Sequence, residues 1–196
     1  MCIRDRSGAE YNISGNTITN NSIGILLDSV YYSIIVGNQI TNNSYGISLG
    51  SWSNYNNISG NNISNNQIGV SMRDASSNRL FHNNFIGNTI QVEIYESTNI
   101  WNDGYPSGGN YWGNYAVVDV KSGSGQNLPG SDGIGDTPYI IDADNVDHYP
   151  LMNPYGTHPP VEVHDVAITS VVPSATEVYV GQIVSITVTV RNEGNF

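Results

Sequence analysis

Charged side chains that could do chemistry are scarce in this chain, and those inside its repeat gather at one recurring place. Asp28, Arg73, Asp74 and Glu96 each follow a short segment of alternating apolar residues. Asp74 and Glu96 stand 22 residues apart, one period of a sequence repeat. If successive periods stack as strands, their Cβ atoms lie about 5 Å apart on adjacent turns. Paired carboxylates at such a distance can share a proton, hold a cation or act on a glycosidic bond. Arg73 would be the basic partner that a polysaccharide lyase needs. A solvated turn accounts for the same residues, and a catalytic groove usually brings more polar groups together.

A second candidate is the acidic loop Ser131-Asp-Gly-Ile-Gly-Asp136. It has the form of the second half of a calcium loop, but the first two ligand positions fall on Leu128 and Gly130. Asp132 and Asp136, with backbone carbonyls and help from Asn127, Asp142 or Asp144, are the oxygens left for calcium, which needs six to eight. The alternative is a glycine-rich turn in which Asp caps its own backbone. His82, His148, His158 and His164 are dispersed and show no metal spacing. Among the aromatics, Trp101, Tyr105, Tyr111 and Trp112 could stack on sugar rings or plug the end of a repeat, and Trp52, on a polar loop, is the better sugar contact. Trp52, Trp101 and Trp112 are therefore the carbohydrate-binding candidates. Asn12, Asn20, Asn42, Asn57 and Asn62 head Asn-x-Ser sequons that permit glycosylation, although an Asn/Ser-rich repeat produces sequons by composition. No Ser-His-Asp or Cys-His arrangement and no phosphate loop is recognisable.

Composition narrows the partners. The 196 residues carry 17 Asp and Glu against 6 Lys and Arg, a formal charge of -11. A nucleic-acid binder needs a basic stripe, so that class is excluded. The acidic, Lys-poor surface suits a secreted protein, a saline setting or divalent cations. The single cysteine, Cys2, lies in Met-Cys-Ile-Arg-Asp-Arg, which reads as a non-native scar, and residues 1–7 are set aside. No membrane span or signal peptide is visible; both ends read as truncated, so that absence carries no information.

The elements that would position these residues follow from the repeat. Ile13, Ile35, Ile58 and Leu80 form one column; Ile18, Ile40, Ile63 and Phe85 a second; Ile25, Ile47, Val70 and Val92 a third; Leu27, Leu49, Met72 and Ile94 a fourth. Each advances by 22, 23 and 22 residues. A fixed period of this size means a repeat architecture. Within each period the apolar residues alternate as in a strand, and the Asn/Ser/Gly/Ile composition excludes helical repeats. The expected fold is all-β: a right-handed parallel β-helix of about four coils over residues 8–101, with the named apolar columns inward. Asn16, Asn38, Asn61 and Asn83 form a further column, each of the first three after a glycine; such pairs suit a left-handed corner and a ladder of stacked amides. The extra residue of the second step falls between Gly50 and Asn57, where a bulge is expected.

Periodicity stops near residue 101, and residues 102–157, rich in Gly, Asp and aromatics, are expected to cap the exposed end. Residues 158–163 read as a stiff linker. From residue 164 to 196 the alternation is that of ordinary antiparallel strands, the opening of an immunoglobulin-like sandwich.

The repeated Gly-Asn-x-Ile-x-x-Asn-x-x-Gly-Ile resembles the β-helix repeat of the NosD-type group, also called the carbohydrate-binding and sugar-hydrolysis (CASH) β-helix. Gly108-Gly-Asn-Tyr-Trp112, Asp132-Gly-Ile-Gly-Asp-Thr-Pro-Tyr139 and Asp147-His-Tyr-Pro-Leu-Met152 resemble the ending of such helices in archaeal surface proteins. Pro173 through Gly194 resembles a CARDB module, a cell-adhesion-related immunoglobulin-like domain. The resemblance implies an extracellular or cell-surface protein, monomeric or part of a larger multidomain chain, whose partners are polysaccharide or cell-surface components. It implies a non-catalytic scaffold first, a polysaccharide lyase, hydrolase or epimerase second, and a periplasmic copper-related accessory third. The last lacks support in the residues, because no Cys, Met or His cluster has copper spacing.

Overall fold

A computed structural model of the chain describes residues 3–156, 166–174 and 185–192. They fall into two compact units, Met1–Thr157 and His158–Phe196. The first is a parallel β-helix. Its entering strand is β1 (Ile3–Ala9). The coils then follow as β2 (Asn12–Ser14), β3 (Thr17–Thr19) and β4 (Ile23–Tyr31); β5 (Ile34–Val36), β6 (Gln39–Thr41) and β7 (Tyr45–Leu49); β8 (Asn57–Ser59), β9 (Asn62–Ser64) and β10 (Ile68–Arg73); β11 (Arg79–Phe81), β12 (Asn84–Ile86) and β13 (Ile90–Tyr95). A short β14 (Tyr111–Trp112) follows.

These strands build three parallel sheets, ordered β1-β4-β7-β10-β13, β2-β5-β8-β11 and β3-β6-β9-β12-β14. Their registers reproduce the sequence columns: Ile35 pairs with Ile13 and Ile58, Ile40 with Ile18 and Ile63, Ile47 with Ile25 and Val70. The inward isoleucines, Leu27, Leu49, Val70, Met72 and Leu80 are buried in one continuous core. Full burial of such a side chain is worth about 1.5–3 kcal/mol.

Two expected boundaries move. Ile3–Ala9, of which residues 3–7 fall in the segment set aside as a scar, forms a strand that pairs in parallel with β4, Ile3 opposite Ile25, so the paired strands begin before residue 8. The β-helix also runs past residue 101: Tyr111 and Trp112 pair in parallel with Asn84 and Phe85.

The corners are held by side chains that the repeat sets in columns. Gly15, Gly37, Gly60 and His82 all have left-handed φ, between 58° and 66°. The asparagines that follow form the ladder. The backbone N–H and Nδ2 of Asn38 both donate to Asn61 Oδ1 at 2.9 Å, and those of Asn61 to Asn83 Oδ1 at 3.1 and 2.9 Å. Two further ladders, through Asn21, Asn43, Asn66 and Asn88 and through Asn56, Asn78, Asn99 and Asn145, link the coils at the other corners, Asn99 reaching Asn145 through its backbone N–H alone.

The glycines of the first sheet have a different reason. A Cβ on Gly24, Gly46 or Gly69 would lie 2.5 Å from the carbonyl oxygen of the next residue in the column. Gln91 ends that column, and among the described residues no strand pairs beyond β13. Its side chain instead takes a hydrogen bond from Asn88 Nδ2 at 2.8 Å.

The cap seals the core with aromatic rings. Phe85, Trp112 and Tyr139 stack at 4.4 and 4.1 Å, nearly parallel, continuing the column that begins at Ile18. Two small antiparallel pairs, β15 (Lys121–Ser122) with β16 (Leu128–Pro129) and β17 (Tyr139–Ile140) with β18 (Val146–Asp147), complete it. His82 shows why one corner gave up its glycine. Its ring stacks on Tyr155 at 4.0 Å and its Nε2 lies 2.8 Å from the Ser107 carbonyl, so the side chain holds the cap down.

In the second unit, β19 (Val166–Pro173) pairs antiparallel with β20 (Ile186–Asn192). The expected linker, residues 158–163, lies outside the described residues.

Candidate functional site

The segment between the first and second sheets carries the charged corner. Its backbone turns through two left-handed columns. One holds Ser29, Trp52, Asp74 and Glu96; the other holds Glu10, Tyr32, Tyr55 and Ser77. Between them Val30, Ser53, Ala75 and Ser97 point inward, joined by bonds such as Ala75 N–H to Ser97 Oγ at 2.9 Å. The coil with the extra residue adds its own turn, in which the Asn54 amide donates to the Trp52 carbonyl. A left-handed residue other than glycine costs roughly 1–3 kcal/mol, and a bulky ring there is an outlier.

Asp74 and Glu96 do sit on successive coils of one column, and both are exposed. Asp74 Oδ2 accepts a hydrogen bond from Ser51 Oγ at 3.3 Å. Arg73 places its guanidinium over the Tyr95 ring, 4.8 Å from its centre. Among the described residues, clefts of about 250 and 200 Å3 lie against the cap, one around Val92 and Tyr139 and one around Asp136 and His148. Neither is lined by Arg73, Asp74 or Glu96. The corner is a solvent-facing wall.

The aromatic candidates separate. Trp101 and Trp112 are 0% and 1% exposed, so they plug the helix end and offer no face to a sugar. Their indole N–H groups donate inward, to Asn145 Oδ1 at 3.1 Å and to Asp147 Oδ2 at 3.0 Å. Trp52 is 67% exposed. Tyr32 and Tyr55, which sequence reasoning missed, stack on each other on adjacent coils at 5.4 Å and 13°, in the other left-handed column of the same corner. Their signal lay in the column, where both rings stand between Glu10 and Ser77.

Calcium at Asp132 and Asp136 is not supported. Asp136 Oδ1 accepts the amides of Val120 and Lys121, and Asp132 accepts those of Gly123 and Ile134 and the Gln126 amide group. The carboxylates hold the loop's own backbone. Of the sequon asparagines, Asn12, Asn20 and Asn42 are exposed, whereas Asn57 and Asn62 are half-buried and each buries its side-chain oxygen.

One carboxylate that sequence reasoning passed over is wholly enclosed. Asp147 accepts Asn110 N–H at 2.7 Å, Trp112 Nε1 at 3.0 Å and Tyr149 N–H at 3.1 Å. Burial, only partly offset by these bonds, pushes its pKa up to about 6. A carbon on Gly109 would overlap its oxygens. The signal was there: Gly109-Asn110 repeats the Gly-Asn pair of the ladder.

The family model described as "Periplasmic copper-binding protein (NosD)" matches residues 3–117. The chain belongs to the NosD family. No curated protein and no solved structure matches it. The NosD description names copper, and the donor set here does not fit that metal. Among the described residues no three of His, Cys, Asp and Glu converge as a metal-binding group. His82 is engaged with Ser107 and Tyr155, and Met72 is buried with its sulfur 3.1 Å from Asn99 Nδ2. Copper prefers imidazole, thiolate or thioether ligands gathered at one point; this NosD chain holds none so arranged among the described residues. Among the described residues no helix is long and apolar enough to cross a membrane.

Proposed function

We propose that this NosD-family chain is a non-catalytic module of a protein outside the cytoplasm, a rigid β-helix that presents its surface to carbohydrate or other cell-surface components. The observation that carries this reading is the openness of the Arg73, Asp74 and Glu96 corner. Acid–base cleavage of a glycosidic bond relies on groups preorganised around the bond in a site that excludes water. Two exposed carboxylates on a solvent-facing corner offer neither. Three side-chain ladders and a stacked aromatic end tie the coils of the β-helix to one another, which suits display. The periplasmic location in the family description and the acidic surface support placement outside the cytoplasm, at the cell surface or in the periplasm. The antiparallel pair β19–β20 is in keeping with a following CARDB-like sandwich.

The test is a polysaccharide panel incubated with the full chain. Retention on one or more polysaccharides, without release of reducing or unsaturated sugar ends, is expected. Release of products that is lost in Asp74→Asn or Glu96→Gln would replace this reading with an enzyme.

A further inference from the structure

We infer that the corner formed by Tyr32, Trp52 and Tyr55 is a binding site for uncharged sugar chains. This deepens the proposed function and rests on it. Three observations carry it.

The first is strain without local purpose. Tyr32, Trp52 and Tyr55 have φ of 56°, 67° and 60°. The same columns hold Glu10 and Ser77, or Ser29, Asp74 and Glu96, on other coils. The fold therefore asks for no ring there, and glycine would be the unstrained choice. Nor do the rings fill the core: Tyr32, Trp52 and Tyr55 are 59%, 67% and 54% exposed. Backbone strain kept at an exposed position points to function.

The second is preorganisation. Tyr32 and Tyr55 lie nearly parallel on adjacent coils, so each fixes the other. The stack ends at Ser77, too small to cover the Tyr55 ring. Trp52 is set by its backbone bond to Asp74 and by the turn of the extra residue. Flat, rigid rings offer contact area at little entropic cost. Polar groups stand among them. Asn54 Oδ1 accepts the Ser76 amide at 2.7 Å, and its Nδ2 has no partner among the described residues. Asp74, which accepts a hydrogen bond from Ser51 Oγ, lies in the Trp52 column.

The third is charge. Glu10 stands in the column of Tyr32 and Tyr55, Asp74 and Glu96 stand in that of Trp52 with Asp28 next to its Ser29, and Arg73 is turned onto Tyr95. Polyuronates and sulfated chains would meet like charge. A neutral chain meets aromatic faces and hydrogen-bonding acceptors.

The composition supplies its own probe. Of the three tryptophans, Trp101 and Trp112 are buried and Trp52 alone is exposed. Acrylamide quenching of the full chain therefore reports chiefly on Trp52. Titration with cello-, manno- or N-acetylchito-oligosaccharides is expected to lower that quenching saturably for at least one of them, and oligogalacturonate to leave it unchanged. Trp52→Gly should weaken retention on the matching polysaccharide at least tenfold, with the unfolding midpoint unchanged or raised. A ring with a merely structural role would lower that midpoint. Tyr55→Ser should weaken retention without unfolding the chain. If the chain is retained on a polysaccharide but Trp52→Gly binds equally well, or no neutral oligosaccharide changes the quenching, this site is wrong and the module reading stands. Equal binding of oligogalacturonate overturns the uncharged class. If no polysaccharide retains the chain, both readings fall.

Discussion

The backbone N–H of Asn110 donates to Asp147 Oδ2 at 2.7 Å, and at this bond the longest asparagine ladder ends. Asn110 Oδ1 receives both donors of Asn83, as every rung receives those of the rung before. An ionised carboxylate is acceptor-only, so it takes this last donor and ends the ladder. The ladder through Asn145 closes in the same way, on the Asp142 carboxylate at 2.9 and 3.1 Å. Three sequence motifs meet around Asp147. Gly109 donates to the Tyr149 carbonyl, Ile134 bridges to Leu151, and Tyr139 stacks on Trp112.

Asp147 should make stability depend on pH. Burial raises its pKa from 3.8 to about 6. The native state then holds the proton more tightly than the unfolded chain. This group's contribution is full below about pH 4 and is lost as pH rises through 6, by about 3 kcal/mol in all. Asp147→Asn has no such titration. Urea unfolding of both proteins from pH 4 to 8 should show the variant gaining on the parent by roughly that amount, with no further change above pH 7. A difference that is flat across the range would mean that Asp147 titrates normally.

The glycine columns should respond unequally to alanine. Gly46→Ala would drive a carbon to 2.5 Å from the Gly69 carbonyl, whereas a carbon on Gly15 meets nothing within 4 Å. The first change should cost about 3 kcal/mol or more, because two backbones must part. The second should cost about 1 kcal/mol, the penalty of a left-handed alanine. Equal losses in thermal or urea unfolding would contradict the close approach.

Breaking a ladder in its middle should be worse than at its end. Asn61 is buried, accepts both donors of Asn38, and donates to Ile35 and Ser59 carbonyls and to Asn83. Asn61→Ala leaves several of these groups unpaired and should cost about 3 kcal/mol or more. Asn16→Ala, half-exposed on the first coils, should cost about 1 kcal/mol. Denaturant midpoints of the two variants, compared with the parent, decide this.

The cap should be needed for solubility. Trp112 stacks between Phe85 and Tyr139, and Trp112→Ala should lose about 3–5 kcal/mol. A chain ending at residue 101 would bare Phe85, the open ladders and the edge of β12. Size-exclusion chromatography should find it associating. A soluble, monomeric 8–101 fragment would refute the requirement for the cap.

By itself the sequence determined the coil. Its period, its strand positions and its inward columns are legible because each coil repeats the one before. Alternation is local, and stacking places like on like: Ile40 is inward for the same reason as Ile18 and Ile63. The first Gly-Asn ladder could be read in the same way. What only the tertiary structure decided lies where the repeat stops or where a column changes its residue. Trp101 and Trp112 are buried and Trp52 is exposed, although all three stand beside polar residues in the sequence. Asp132 and Asp136 are spent on amides as far as 16 residues away. Asn84 holds the backbone of Tyr155 across 71 residues. Such contacts join segments that no period relates, so no column of the alignment carries them. They exist only once the coils have stacked and the cap has folded back onto the last one.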